Sequence, residues 1–154
     1  MISKMINSES DLTTIAKNIS NLLLNNKISI VKLYGEIGVG KTTLTKLIIK
    51  EITNELESDI TSPTFNIVNC YLSKNGKNKI QHFDLYRIQK EIEIGEELVE
   101  MINDGSSISI IEWPDVVEKL IIKNRNVLNV FIDHCDNLHN KQMRIFRSDI
   151  DIFN

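Results

Sequence analysis

The sequence predicts an α/β fold: a mostly parallel central sheet, helices packed against it, and one antiparallel hairpin. Three observations predict it. A β-branched apolar run, ISIVKLY (28–34), stops at a glycine-rich loop that leads into an amphipathic helix. Strand-like and helical patterns then alternate along the chain. Finally, the strand-like runs FNIVNCYL (65–72) and KIQHFDLY (79–86) flank SKNGKN, whose Asn75-Gly76 pair is a hairpin-turn signal.

Each element has its own signal. Residues 8–25 read as a helix: Ser8 or Ser10 can cap it, and Leu12, Ile15, Ala16, Ile19, Leu22 and Leu23 recur at helical spacing. Residues 28–34 read as a buried strand ending at Gly35. Past the glycines, Leu44, Leu47, Ile48, Ile52 and Leu56 mark one face of a second helix. After the hairpin, residues 89–103 look helical, and SISIIEW (107–113) is a strand ending in an acid. Pro114 can start the next helix. NVLNVFID (126–133) and QMRIFRS (142–148) read as late strands. No repeat, linker or composition shift divides the chain, so residues 1–154 are expected to form a single domain.

Composition narrows the function. With 42% hydrophobic residues, 154 residues can fill one core. The net charge of −3 and pI near 5.6 argue against a basic nucleic-acid footprint. No apolar run is long enough to span a membrane, and the first residues lack a signal-peptide apolar core. Cys70 and Cys135 have no CxxC spacing and no His cluster, so a cysteine metal site is not expected. Two scattered cysteines fit a reducing cytosol, hence a cytoplasmic protein. Cys70 reads as a small apolar filler in a strand.

The chemistry starts at GEIGVGKTT (35–43), which satisfies G-x-x-x-x-G-K-[ST] between a strand and a helix, the context that a phosphate-binding loop requires. Glycines let the backbone wrap phosphate oxygens without Cβ clashes. Successive N–H groups and the helix N-terminus then aim positive potential at the anion. Glu36, Ile37, Gly38, Val39, Gly40, Lys41, Thr42 and Thr43 are therefore the candidate nucleotide-binding residues. Lys41 should neutralise β- and γ-phosphate charge, and the Thr42 hydroxyl should ligate Mg²⁺. Thr43 is expected to support the helix start.

Such a loop needs an acid to hold the metal shell. Glu112, at the end of an apolar strand, and Asp84, in HFDLYR, are the two candidates, and hard oxygen ligands are what Mg²⁺ prefers. One of them can instead orient water or couple to a switch. TSPTF (61–65) is a loop by composition, but it follows the loop helix, where nucleotide switches place a hydroxyl that senses the γ-phosphate. His82 reads as support, Tyr86 and Arg87 as a partner surface or a helix anchor. Trp113 reads either as ordinary packing or as a neighbour of the nucleotide or a partner.

GEIGVGKTTL, SPTFNIVNCY, HFDLYR and IIEWP, in this order and at these distances, resemble the small bacterial ATPases of tRNA threonylcarbamoyladenosine synthesis, the TsaE family. The resemblance runs from about residue 10 to residue 114, with no distinctive signal after residue 115. It implies a P-loop NTPase-like three-layer sandwich, ATP and Mg²⁺ as cofactors, and two protein partners: the threonylcarbamoyl transferase and its inactive paralogue. tRNA is reached only indirectly, through that complex. The ATPase does not perform the transfer; it resets the complex between turnovers. The resemblance carries catalytic roles onto Lys41, Thr64, Asp84 and Glu112, and metal roles onto Thr42, Glu112 and Asp84, with Glu112 as the Mg²⁺-associated acid. The guanine-selecting N-K-x-D motif is absent, which favours ATP. Base contacts are only weakly suggested, at residues 7–13. Two readings of other classes remain: a small P-loop kinase of a metabolite or nucleotide, with Arg87, His82 and Asp84 lining its acceptor pocket, and a nucleotide-dependent binding module with negligible turnover.

Overall fold

A computed structural model describes residues 1–63, 66–90, 93–121, 125–135 and 144–153. Among them, seven strands form one sheet: β1 (Ile2–Ile6), β2 (Ile30–Tyr34), β3 (Val68–Leu72), β4 (Lys79–Asp84), β5 (Ser107–Glu112), β6 (Val127–His134) and β7 (Arg144–Ser148). Their order across the sheet is β1-β7-β6-β2-β5-β4-β3. The helices are α1 (Glu9–Leu24), α2 (Lys41–Ile52) and α3 (Glu96–Asn103), with a 3₁₀ turn at Pro114–Val117.

The centre is parallel: β2 pairs with β5 and β6, and β5 pairs with β4. Carboxyl ends of these strands therefore emerge along one rim, where the loop after β2 begins. The register sets Leu33 against Glu112 and Asp84 against Glu112, so both candidate acids reach that rim side by side. The predicted β3–β4 hairpin is antiparallel, and Gly76 takes the left-handed φ of 68° that its turn needs. A second antiparallel flank was not predicted: β7 pairs with β6, and β1 with β7.

Two layers of apolar side chains sandwich the sheet. On one face, Leu12, Ile15, Ile19 and Leu23 of α1 and Leu44, Ile48 and Ile52 of α2 pack on Val31, Leu33, Ile110, Leu128 and Val130. On the other, Ile102 of α3 and Val117 pack with Ile30, Phe83 and Ile111. Strand periodicity explains the division: Val31 and Leu33 face one way, Ile30 the other. The Ser8 hydroxyl accepts the Asp11 N–H at 3.1 Å and caps α1, with Glu9 and Asp11 in the first turn, where the helix dipole favours acids.

Three expectations need correction, and one element was not foreseen. The segment read as one helix over 89–103 is helical only from Glu96, after Gly95; residues 91 and 92 lie outside the described residues. The second helix stops at Ile52, and Leu56, read as part of its apolar face, is exposed. Cys70 is an exposed residue of the edge strand β3, not a core filler: no side chain of that strand is fully buried. β1 was not foreseen: ISKMI is almost wholly exposed and is held by main-chain pairing to β7 rather than by apolar burial.

Ile48 is fully buried between the two helices and the sheet. Ile48→Ala should cost about 2–5 kcal/mol of unfolding free energy, read from the midpoint of a urea titration.

Candidate functional site: a phosphate loop with two acids

The loop between β2 and α2 is held by geometry that glycine alone supplies. Gly35 has φ 142°, and a Cβ there would collide with the Ile132 carbonyl oxygen on the neighbouring strand. Gly40 has φ 107°, and a Cβ there would meet the Arg144 guanidinium at 2.8 Å. Gly40 also caps α2, and no side chain bonds to the helix's first N–H groups. Those donors are the orphans that an anion can satisfy.

Beside the loop lies a cavity of about 400 Å³, lined by Lys41, Thr42, Ser62, Asp84, Glu112 and Trp113 among others. Residues far apart in sequence meet there: α2 brings Lys41 and Thr42, β4 brings Asp84, and β5 brings Glu112. Lys41 is 4% exposed. Its ammonium donates to the Gly35 and Glu36 carbonyls at 2.7 and 2.8 Å and sits 3.7 Å from the centre of the Trp113 ring. Burial pushes the Lys41 pKa below its ordinary value, while Glu112 and Asp84 pull it back up.

The two acids have different partners. Glu112 is 1% exposed; its Oε2 accepts the Thr42 hydroxyl at 2.8 Å, and its Oε1 lies 2.8 Å from His82 Nε2. Asp84 is half-buried; its Oδ2 accepts the Ser62 hydroxyl at 2.7 Å and its Oδ1 the Tyr86 N–H at 3.2 Å. Asp84 is thus tied to the TSPTF segment, and Glu112 to the loop. A hydroxyl and two carboxylates in one cavity are the hard oxygen donors that suit Mg²⁺. Thr64 lies outside the described residues.

Other predicted residues divide by side chain. Ile37, Gly38, Gly40 and Thr43 line the cavity. Val39 turns its side chain into the core, and Glu36 lines a neighbouring cleft with Asp133 and His134, so both can meet phosphate only through the backbone. Thr43 is exposed and lines the cavity wall, and Gly40, not Thr43, takes the cap position. Tyr86 packs against Trp113, ring centres 5.0 Å apart, and forms an aromatic wall at the mouth. Arg144 went unnoticed in the sequence. It lies 104 positions after Gly40, in a run read only as a late strand, and the β6–β7 pairing brings it to the loop. Arg144 shares a second cavity of about 270 Å³ with Asn7, Glu9, Leu12 and Thr43; Thr43 thus lies on both cavities.

A strand–glycine loop–helix unit on the rim of a parallel sheet, with acids from neighbouring strands beside it, defines a P-loop-type protein. A family model described as "Threonylcarbamoyl adenosine biosynthesis protein TsaE" matches residues 6–143, and the chain belongs to that family. The match continues well past residue 115, where the motifs ran out. The chain is 31% identical to the tRNA threonylcarbamoyladenosine biosynthesis protein TsaE of Rickettsia conorii, over 96% of this chain and 88% of that protein. It is 33% identical to the protein of the same name from Aquifex aeolicus, over 72% and 75% of the two chains. The crystal structure of Bacillus subtilis YdiB has the same fold, with a TM-score of 0.63 at 22% identity over 94% of this chain and 82% of that one. No helix among the described residues is long and apolar enough to cross a membrane.

Lys41 must leave the Trp113 face to reach a phosphate in the cavity. Trp113 is the chain's single tryptophan, so its emission should change on titration with ADP–Mg²⁺. A spectrum that stays flat to saturation would leave Trp113 as packing alone.

Proposed function

We propose that this chain is the ATP-binding, Mg²⁺-dependent ATPase subunit of tRNA threonylcarbamoyladenosine synthesis. It is read as one domain that works in the cytoplasm with the threonylcarbamoyl transferase and its inactive paralogue, and that resets their complex between turnovers. Family membership supports the pathway. The observation that carries the ATPase reading is the bond from Thr42 to the buried Glu112, within one cavity that also holds Lys41 and Asp84.

The residues divide the work by position. Backbone N–H groups of residues 36–43, at the start of α2 where the Gly40 cap has no side chain, bind phosphate oxygens. Lys41 swings from the Gly35 and Glu36 carbonyls to the β- and γ-phosphates. Thr42 and Glu112 supply oxygen donors for Mg²⁺, which when bound neutralises phosphate charge. Asp84, through Ser62, couples the cavity to the segment that carries Thr64. The second cavity suits the base: Thr43 lines both cavities, and Leu12, Asn7 and Glu9 offer one apolar and two hydrogen-bonding groups.

The kinase alternative asks His82 to line an acceptor pocket with Asp84 and Arg87. His82 is fully buried and bonded to Glu112, which counts against that role.

Lys41→Ala should weaken ATP binding roughly 100-fold, about 2.7 kcal/mol, because the phosphates lose a fixed cation in a partly desolvated site. Glu112→Ala should impair Mg²⁺-dependent hydrolysis more than nucleotide binding. Calorimetry with ATP–Mg²⁺, together with steady-state phosphate release, measures both. An unchanged dissociation constant for Lys41→Ala would refute the loop assignment.

Alone, the chain should hydrolyse ATP slowly, since phosphoryl transfer gains several orders of magnitude from a charge-stabilising arginine supplied by a partner. Adding the transferase and its paralogue should raise phosphate release, and Thr64→Ala should reduce that rise more than it reduces ATP binding. Fast hydrolysis indifferent to both partners, with phosphate passed to a metabolite, would favour the kinase.

A further inference from the structure

His82 is the buried polar group that the proposed function leaves unexplained. It sits on β4, two residues before Asp84 and on the same face, with no exposed surface. Its Nε2 lies 2.8 Å from Glu112 Oε1. Its Nδ1 is buried and has no hydrogen-bond partner among the described residues. A histidine kept for packing is normally satisfied at both nitrogens; this one has a single contact, and that contact is the acid beside the loop.

The chemistry fixes the direction of the bond. An ionised carboxylate only accepts, so Nε2 carries the hydrogen of this bond. The two oxygens of Glu112 are thereby divided. Oε1 is engaged by the β4 imidazole, while Oε2 accepts from Thr42, which lines the same cavity as Glu112. Without His82 the Thr42 hydroxyl alone, among the side-chain contacts described, would hold the carboxylate, and its terminal torsion has a broad, soft profile.

We propose that His82 is a positioning residue: by holding Oε1 it makes Glu112 present one oxygen, Oε2, to the divalent cation. This rests on the reading of Glu112 as the cation-side acid. A single presented oxygen suits Mg²⁺, which demands compact octahedral geometry. A freed carboxylate can offer both oxygens, an arrangement that the larger, more flexible Ca²⁺ shell accommodates. His82 therefore sets both the strength of Mg²⁺ binding and its discrimination from Ca²⁺.

The test measures ADP affinity by displacement of a fluorescent ADP analogue in EDTA, in Mg²⁺ and in Ca²⁺. His82→Phe keeps the ring volume and removes the donor. It should leave the EDTA value unchanged, cut the gain from Mg²⁺ roughly ten- to a hundredfold and narrow the Mg²⁺/Ca²⁺ difference. His82→Gln, whose amide N–H can reach the Nε2 position, should restore most of the gain. Full Mg²⁺ enhancement in His82→Phe, or a Gln variant as impaired as the Phe variant, would overturn the proposal. A second measurement needs no substitution. Histidine ¹⁵N NMR of the wild-type chain should show a slowly exchanging Nε2–H signal that shifts when Mg²⁺ joins the ADP complex. Its absence would equally overturn the proposal. A wild-type chain that binds no ADP in any condition would instead refute the nucleotide-site reading beneath it.

Discussion

Parallel pairing of β2, β5 and β4 is the constraint on which the rest of the structure depends. Parallel neighbours end on the same rim, so the loop after β2, Glu112 after β5 and Asp84 after β4 come together without any of them being close in sequence. A register slip of one residue in β5 would turn Glu112 to the opposite face, toward Ile111's neighbours, and bury a carboxylate in apolar surroundings. The apolar alternation of Ile108 and Ile110 against Ser109 and Ile111 guards that register, because each side chain has a layer waiting for it. Core packing and site geometry are thus one property of the same strands.

Charge is managed with the same economy. Lys41 is a buried cation, which burial alone disfavours. Two loop carbonyls, an aromatic face and the fields of Glu112 and Asp84 hold it charged. Glu112 is a buried acid, satisfied by Thr42 and His82. Every one of these contacts has Lys41 or Glu112 at one end, the two residues also expected to meet phosphate and cation. These polar groups are bonded to one another, and an anion entering the cavity must replace those bonds with its own. The contrast between the acids follows: Asp84 bonds Ser62 of the TSPTF segment, and Glu112 bonds Thr42 in the first turn of α2.

Much of this was readable in one dimension. The loop GEIGVGKTT is contiguous, and its glycines, lysine and threonine announce their chemistry by order alone. The Asn75-Gly76 turn and the buried strands 28–34 and 107–113 are local patterns that tertiary structure had no reason to override. β1 was hidden because an exposed edge strand carries no apolar period, and α3 was overextended because Ile92 and Ile94 mimic its helical stripe before Gly95 interrupts it.

By itself the sequence determined the loop, the order of the elements and the pair of candidate acids, since each depends on residues adjacent in the chain. It did not show that Glu112 bonds Thr42 and His82, or that Arg144 stands over Gly40. Only the tertiary structure decided those, because they depend on strand register and on which strand lies beside which. Neither is written in any local run of residues: the Glu112 that bonds Thr42 is 70 positions away, and it is the sheet that brings them within 2.8 Å.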